Sequence, residues 1–477
     1  MTDTSWTDDL LAGVREIDAA AEGYEDAEDY FTGDVPEVFA APAVRRKLAA
    51  TGERYKFALA STPVKVLADR VVLTGVSTGR PQLDQIVSAV RTTNRMQLLE
   101  PNVHLSTFKF GDAYLFSWPD LTPDGRVVGV RVLLNEPATV RAVYGEDDPN
   151  AILYVIKAWV ERSADGTKRR RADVYYDATE DDAGRPVRAR IERFVTKDGS
   201  GPRGHQSGDW QQFLDDGQEE WLIEHDFGLP WTHFRNGAPY GTPEHALAYG
   251  PQDAITKLLI TQITTTDHHG WPQRYGLIDP AAVLDQNESD PDWGDDLDAD
   301  DDSTAEGGVS SGERDGPGTM KKFTGMREVG QFATADPDVF IQPVDLYVRL
   351  MSQLTGTPLY DFDPSKDQPS GVARRRAEAP LIAKIGNREL YLSDTWAQFW
   401  GRVFELLDVE DAPEVAVSWR PAFVIDDTEG LDVLAAKRAL GVPVEELLVE
   451  AGYTREQASA WAENAEPLPG SLLGSLG

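Results

Sequence analysis

Cysteine is absent from all 477 residues, which excludes a disulfide framework and any thiolate-bound metal centre and leaves the redox compartment open. Histidine is scarce, seven in all, and none of His104, His205, His225, His233, His245, His268 and His269 forms an HExxH or comparable ligand pair on a helix. The adjacent His268 and His269 point to different faces, so a charge interaction at a helix C-terminus is favoured over metal ligation. Positive charge is also short. Lys plus Arg number 46 against 81 Asp plus Glu, a net charge of −35, and such a surface repels polyanions unless basic groups are locally concentrated. A sequence-reading DNA binder is disfavoured, whereas a protein past which DNA slides without sticking tolerates this balance, as do many acidic enzymes.

There is no uninterrupted apolar run of about 18 residues, and the acidic start "MTDTSWTDDLLAGVREI" lacks the positive region of a secretory signal; a soluble protein with no membrane partner is expected. No glycine-rich phosphate loop, GxSxG elbow, GxGxxG or deaminase signature occurs, and "DGTKRRR" at 165–171 lacks the glycine spacing of a phosphate loop. No cofactor is implied.

What is present suffices for large cores: 41% apolar residues, with 12 Trp, 15 Tyr and 17 Phe, in a chain long enough for two to four structural units. Leu10, Leu11, Val14 and Ile17 stand at helical spacing in a segment ending at Gly33, and residues 55–76 read as a helix running into a strand. From 104 to 234, short runs rich in Val, Ile, Tyr, Phe and Trp alternate with "TPDG", "SADG" and "DDAG" turn signals, so an antiparallel sheet is predicted. Within it "AILYVIKAWVER" and "KRRRADVYY" form a hairpin, "RPVRARIERFV" adds a third strand, and the "KRRR" charges read as a solvated strand in preference to a nucleic-acid patch.

Helical spacing returns at 250–270, where Ile255, Leu258, Leu259 and Ile263 share a face between Pro251 and Gly270. Thr261, Thr264, Thr265 and Thr266 weaken its intrinsic helicity. Residues 285–318 break the composition: ten of the eighteen from 285 to 302 are acidic and none is basic, which predicts a flexible loop. Asp290, Asp292, Asp295 and Asp296 do not match calcium-loop spacing. A helix follows, with Val344, Tyr347, Val348, Met351 and Leu354 on one stripe and Gly356 and Pro358 as its stop. After "PLYDFDPSKDQPSG" comes the longest periodic segment, about 371–408, in which Pro380 predicts a bend but no end. Three short helices close the chain, the third opened by a Thr454-to-Gln457 capping box. Their excess of Glu makes major-groove reading improbable.

Arg374, Arg375 and Arg376 lie in the first turns of the long helix, an unfavourable end for cations, so an acidic subunit face or a phosphate backbone should offset them.

An α/β N-terminal half, a helix, an irregular acidic insertion, a second helix, a proline-stiffened loop and a long kinked helix, in that order and together of the α+β class, resemble the portal proteins of tailed bacteriophages, in the form found in phages of actinobacteria. The strongest stretch is "FIQPVDLYVRLMSQLTGTPLYDFDPSKDQPSGVARRRAEAPLIAKI". "YFTGD" at 30–34, "KVLADRV" at 65–71, "LPWTHFRN" at 229–236, "GPQDAITKLL" at 250–259 and "ALGVPVEELLVEAGYTREQ" at 439–457 add to it in the same order.

The resemblance implies a portal fold: a wing of helices and antiparallel sheet at 1–250, stem helices at 251–270 and 339–356, a small clip insertion at 271–338, a tunnel loop at 357–370, the kinked helix and a wing return strand at 371–426, and a helical crown at 427–477. It further implies a homo-oligomeric ring, typically dodecameric, at the capsid vertex of the virion, assembled in the host cytoplasm. Its partners would be double-stranded DNA bound without sequence preference, the terminase large subunit, a head-tail adaptor, and the major capsid and scaffolding proteins. Asp361, Asp363, Lys366 and Asp367 would face the DNA, Arg374, Arg375 and Arg376 would meet DNA or a neighbouring subunit, and no residue would be catalytic. Two alternatives stay open: an acidic carbohydrate-active hydrolase using two carboxylates, which needs no fixed local motif, and another ring such as an adaptor.

Overall fold

In the computed structural model the described residues are 5–34, 56–162, 166, 168–180, 186–197, 207–215, 217–270, 274–278, 326–331, 338–363, 371–409, 411–422, 427–451, 453, 458–459 and 461–462. The acidic stretch 285–318 and the Thr454–Gln457 box lie outside them. The chain is a mixture of helix and antiparallel sheet and divides into two units, residues 1–36, 56–253 and 348–477 in one and 37–55 with 254–347 in the other.

In the larger unit, helix α1 (Ser5–Thr32) buries Leu10, Val14 and Ile17, spaced along one face, and ends where Gly33 turns to φ 77°. That stripe lies on a sheet formed by β4 (Val140–Tyr144), β5 (Ile152–Arg162), β6 (Lys168–Tyr176), β7 (Ala189–Thr196) and β8 (Trp210–Gln212). A further strand, β9 (Leu222–His225), pairs with β7. The β5–β6 hairpin and the third strand stand where the turn signals put them. Tyr154, Ile156, Ala172, Val174 and Phe194 face α1, while Val155, Tyr175 and Ile191 face the other way, as the two-residue strand period requires.

Those opposite-facing residues pack on Tyr114 and Trp231 of a three-stranded sheet ordered β10 (Trp231–Arg235), β2 (Asp112–Leu121), β3 (Val127–Asn135). The largest core forms beneath α8 (Gly371–Leu406). Leu381, Ile385, Leu392, Trp396, Phe399, Val403 and Phe404 meet residues of α2 (Thr62–Arg70), α3 (Pro81–Thr93), α4 (Met96–Phe110) and the three-stranded sheet. His104 sits inside it, accepting from Trp396 Nε1 at 3.0 Å and bonded to the Val71 carbonyl at 3.1 Å; burial lowers its pKa to about 4, so it stays neutral. Strand β1 (Leu73–Ser77) pairs with β13 (Ala416–Trp419).

Two expectations are corrected. Residues 104–110 belong to α4, not to the sheet, because His104, Thr107 and Phe108 are buried at helical spacing and Gly111, at φ 89°, ends the helix. The "KRRR" strand is only partly solvated: Lys168 is exposed and Arg169 half-buried, but the next two arginines are not free in water. Arg170 is buried beneath α1, where its guanidinium makes a two-pronged pair with Asp18 at 2.7 and 3.0 Å, and Arg171 stacks 3.9 Å from the Phe213 ring centre.

Asp112 depends on close backbone packing. A Cβ on Gly241 would lie 1.9 Å from the Gly111 carbonyl oxygen, and the Gly241 N–H donates to Asp112 Oδ1 at 3.0 Å. Gly241→Ala is therefore expected to cost more than about 2 kcal/mol, read as a lowered denaturation midpoint, whereas Gly125→Ala in an open turn, strained only by its positive φ, should cost about 1 kcal/mol.

Helix α5 (Tyr249–Gly270) carries the threonines that weaken helicity. Thr261, Thr265 and Thr266 donate their hydroxyls to the carbonyls of Lys257, Thr261 and Gln262, one turn back, at 2.7, 2.7 and 2.9 Å. Helix α6 (Asp338–Thr355) stops at Gly356, φ 67°. In the smaller unit β11 (Arg274–Ile278) pairs with β12 (Met326–Gln331).

Candidate functional site

The proline-rich stretch 357–370 leaves the end of α6 and enters α8, so what fixes its base fixes where it can go. Pro358 precedes a single helical turn, α7 (Leu359–Phe362), whose Phe362 is buried. From that turn Tyr360 donates its hydroxyl to Glu378 of α8. Arg374, one turn earlier on α8, donates to the same carboxylate oxygen at 3.2 Å, and Arg70 of α2 reaches it at 3.5 Å. Three elements thus converge on one carboxylate that is 2% exposed. Burial alone would raise its pKa, but the hydrogen bonds from Tyr360 and Arg374 and the charge of Arg70 outweigh it and hold the carboxyl below its ordinary value.

Asp361 sits beside this cluster. Burial raises its pKa against the pull of Arg70 and Arg374, and its Oδ2 finds no hydrogen-bond partner among the described residues. Asp363 is half-buried, and Lys366 and Asp367 lie outside the described residues. Of the three arginines, Arg374 is held by Glu378 one turn on, so its cost at the helix N-terminus is offset within its own chain; Arg376 is exposed, and Arg375 lies in the first turns of α8. Pro380 falls within the unbroken α8, two residues past Glu378.

A second buried carboxylate clamps the same helix further along its length. Glu244, with 3% of its side chain exposed, takes Lys384 at 2.7 Å, Arg388, and Asn236 Nδ2 at 3.0 Å. Lys384 also donates to the Thr355 carbonyl at 3.2 Å, joining the last turn of α6 to α8. Burial raises the Glu244 pKa, but Lys384 and Arg388 together hold it below the ordinary value. The first turn of α5 is tied in a similar way: Gln252 bridges the Ala60 N–H at 3.0 Å and the Phe57 carbonyl at 2.6 Å, and Asp253 accepts from Tyr30 at 2.9 Å.

The motifs that drew attention in the sequence thus supply these junction residues: Tyr30 from "YFTGD", Asn236 from "LPWTHFRN", Gln252 and Asp253 from "GPQDAITKLL", and Glu378 and Lys384 from "AEAPLIAK". Spacing gave no sign of the Glu244 clamp, although Lys384 and Arg388, four apart at the edge of an apolar helix stripe, are the pattern a buried acid would need.

Among the described residues no three His, Asp or Glu side chains are placed to hold a metal ion, and no helix is long and apolar enough to cross a membrane. A cavity of about 490 Å³ lies between β10 and α8, and Asp394 is the one carboxylate lining it, which does not supply the facing pair that glycoside hydrolysis uses.

No family model matches the chain. The portal protein of Mycobacterium phage L5 is 24% identical over 162 residues, 31% of this chain and 33% of that protein, so the match spans about a third of the relative's length. Among solved structures, a chain from the virion of a native gene transfer agent particle aligns with a TM-score of 0.40 and 12% identity, over 91% of this chain and 100% of that one.

Proposed function

We propose that the chain is the subunit of a portal, a ring through which double-stranded DNA enters a phage capsid during packaging and leaves during ejection, and that it catalyses no reaction itself. The observation that carries this reading is the 24% identity with the phage L5 portal protein. The geometry at the base of residues 357–370 is in keeping with it. A loop that meets moving DNA must keep its shape, and this one starts from a helical turn pinned to a buried carboxylate and carries Pro358, Pro364 and Pro369 to restrict the rest.

Electrostatics favour passage over binding. With a net charge of −35 per copy, a wall built of this chain repels phosphates, and Asp361, Asp363 and Asp367 keep them from settling while Lys366 touches them in passing. In this reading residues 251–270 and 339–356 form the stem, 271–338 the clip, 357–370 the tunnel loop, residues 1–250 with 371–426 the wing, and 427–477 the crown. Copies close into a dodecamer at the vertex, docking the terminase large subunit and then the head-tail adaptor, with capsid and scaffolding proteins around them.

Electron microscopy of the purified chain should show rings with a central hole. A monodisperse monomer at high concentration, unchanged by capsid partners, would refute the proposal.

A further inference from the structure

Helix α6 is apolar on two faces. On one, Phe340, Val344 and Val348 are half-buried and Met351 fully buried, at helical spacing. On the other, Val339, Leu346, Leu350 and Leu354 are spaced so that a 3.6-residue turn stacks them into one ridge, and they keep 64, 54, 37 and 49% of their surface in water. A helix that is apolar all round is a covered helix, and a contiguous exposed apolar ridge marks a contact surface.

The threonines of α5 supply a matching shape. Thr261 and Thr265 spend their hydroxyls on the carbonyls of Lys257 and Thr261, so the part of each that they turn outward is its methyl group. Ala254 and Leu258 lie on the same side at helical spacing, and none of the four is buried. Short side chains along a helix leave a shallow groove that a ridge of larger ones can enter. Residues that weaken α5 as an isolated helix thereby give it a narrow, nonpolar surface for another helix.

Charge says what covers the ridge. Acidic residues number 81 in 477, yet among the described side chains none is exposed on either helix. Beside the ridge, α6 exposes Ile341, Gln342, Arg349 and Gln353, and α5 exposes Gly250, Lys257, Thr261 and Thr266. Two copies that each carry a charge of −35 repel unless they meet across surface free of acid, and these two faces are free of it.

We infer that the ridge of Val339, Leu346, Leu350 and Leu354 packs into the Ala254–Leu258–Thr261–Thr265 groove of a second copy, head to tail, so that the same seam repeats from copy to copy. The inference deepens the portal reading, on which it rests for the closing of that series into a ring.

Sedimentation velocity of the full chain tests it. Leu350→Asp puts a charge on the ridge and Thr261→Glu a larger one in the groove; each variant should keep the wild-type circular dichroism spectrum and stay monomeric where the wild type forms rings. Leu346→Asp, at a more exposed point of the ridge, should behave as Leu350→Asp does. Mixed in equal amounts at high concentration, Leu350→Asp and Thr261→Glu should give dimers and nothing larger, because each retains the face that the other has lost. Leu350→Ala, which shortens the ridge at one point, should raise the concentration for half-assembly roughly tenfold. Rings from the charged variants, or a mixture that stays monomeric, would overturn the inference and leave the portal reading standing. A wild-type chain that stays monomeric at high concentration would overturn both.

Discussion

Glu244→Ala is expected to destabilise the larger unit by about 3 kcal/mol, seen as a lower denaturation midpoint by circular dichroism and as poor recovery of soluble chain. The substitution leaves Lys384, Arg388 and Asn236 Nδ2 facing a hole where a carboxylate stood. Removing one member of a buried ion pair costs about 3–5 kcal/mol because its partners stay desolvated. The lower end applies here, since Lys384 and Arg388 keep about a fifth of their side chains in contact with water and recover some hydration. Glu244→Gln keeps the shape and one acceptor and should cost roughly half as much.

The same carboxylate gives the unit an acid limit. Its folded pKa lies below the ordinary 4.5, so its contribution is complete above that value and disappears as pH falls through the folded pKa. Stability should thus fall on the acid side of about pH 4.5, and the fall should be shallower in Glu244→Gln, which has nothing to protonate there.

Glu378→Ala should act on the loop more than on the fold. The cost in stability is expected to be about 1–2 kcal/mol, less than at Glu244, because Arg374 is 46% exposed and can turn to water. What the change removes is the shared acceptor of Tyr360, Arg374 and Arg70. Limited proteolysis should then cut within 357–370 several times faster. Glu378→Gln retains the Tyr360 hydrogen bond and should lie between. Wild-type chain should show the same loosening on acidification, since a carboxyl held below its ordinary value loses its contribution as pH drops through the folded pKa. Unchanged cleavage in Glu378→Ala would mean that the carboxylate does not anchor the loop.

Much of the helical architecture was legible in the sequence because local signals mark its ends. Gly33, Gly356 and the Pro251–Gly270 pair bound α1, α6 and α5, and the turn between β5 and β6 set the hairpin. Where local and tertiary preferences diverge, the reading failed. Phe108, Lys109 and Phe110 have strand-like composition, yet they finish a helix because His104 and Phe108 fall on one buried face. Arg170 looked like a solvated charge, and the arrival of Asp18 from a helix 152 residues away helps make its burial tolerable.

The loop base divides along the same line. Its prolines and the Arg374–Glu378 pair are local and readable, whereas Arg70 lies 308 residues from Glu378 and no periodicity connects them. That β10 stands at the end of its sheet was equally invisible, since which strand is outermost is a property of topology and not of composition.

Because the chain contains no cysteine, Lys366→Cys gives one reactive thiol in the stretch assigned to the DNA path. The decisive measurement carries a photoactivatable cross-linker on that thiol in assembled particles with DNA arrested in transit, with Leu440→Cys, 86% exposed near the chain's end, as the comparison. DNA should cross-link from position 366 and leave position 440 unlabelled. Cross-linking from 440 with none from 366 would contradict the claim that residues 357–370 line a DNA conduit.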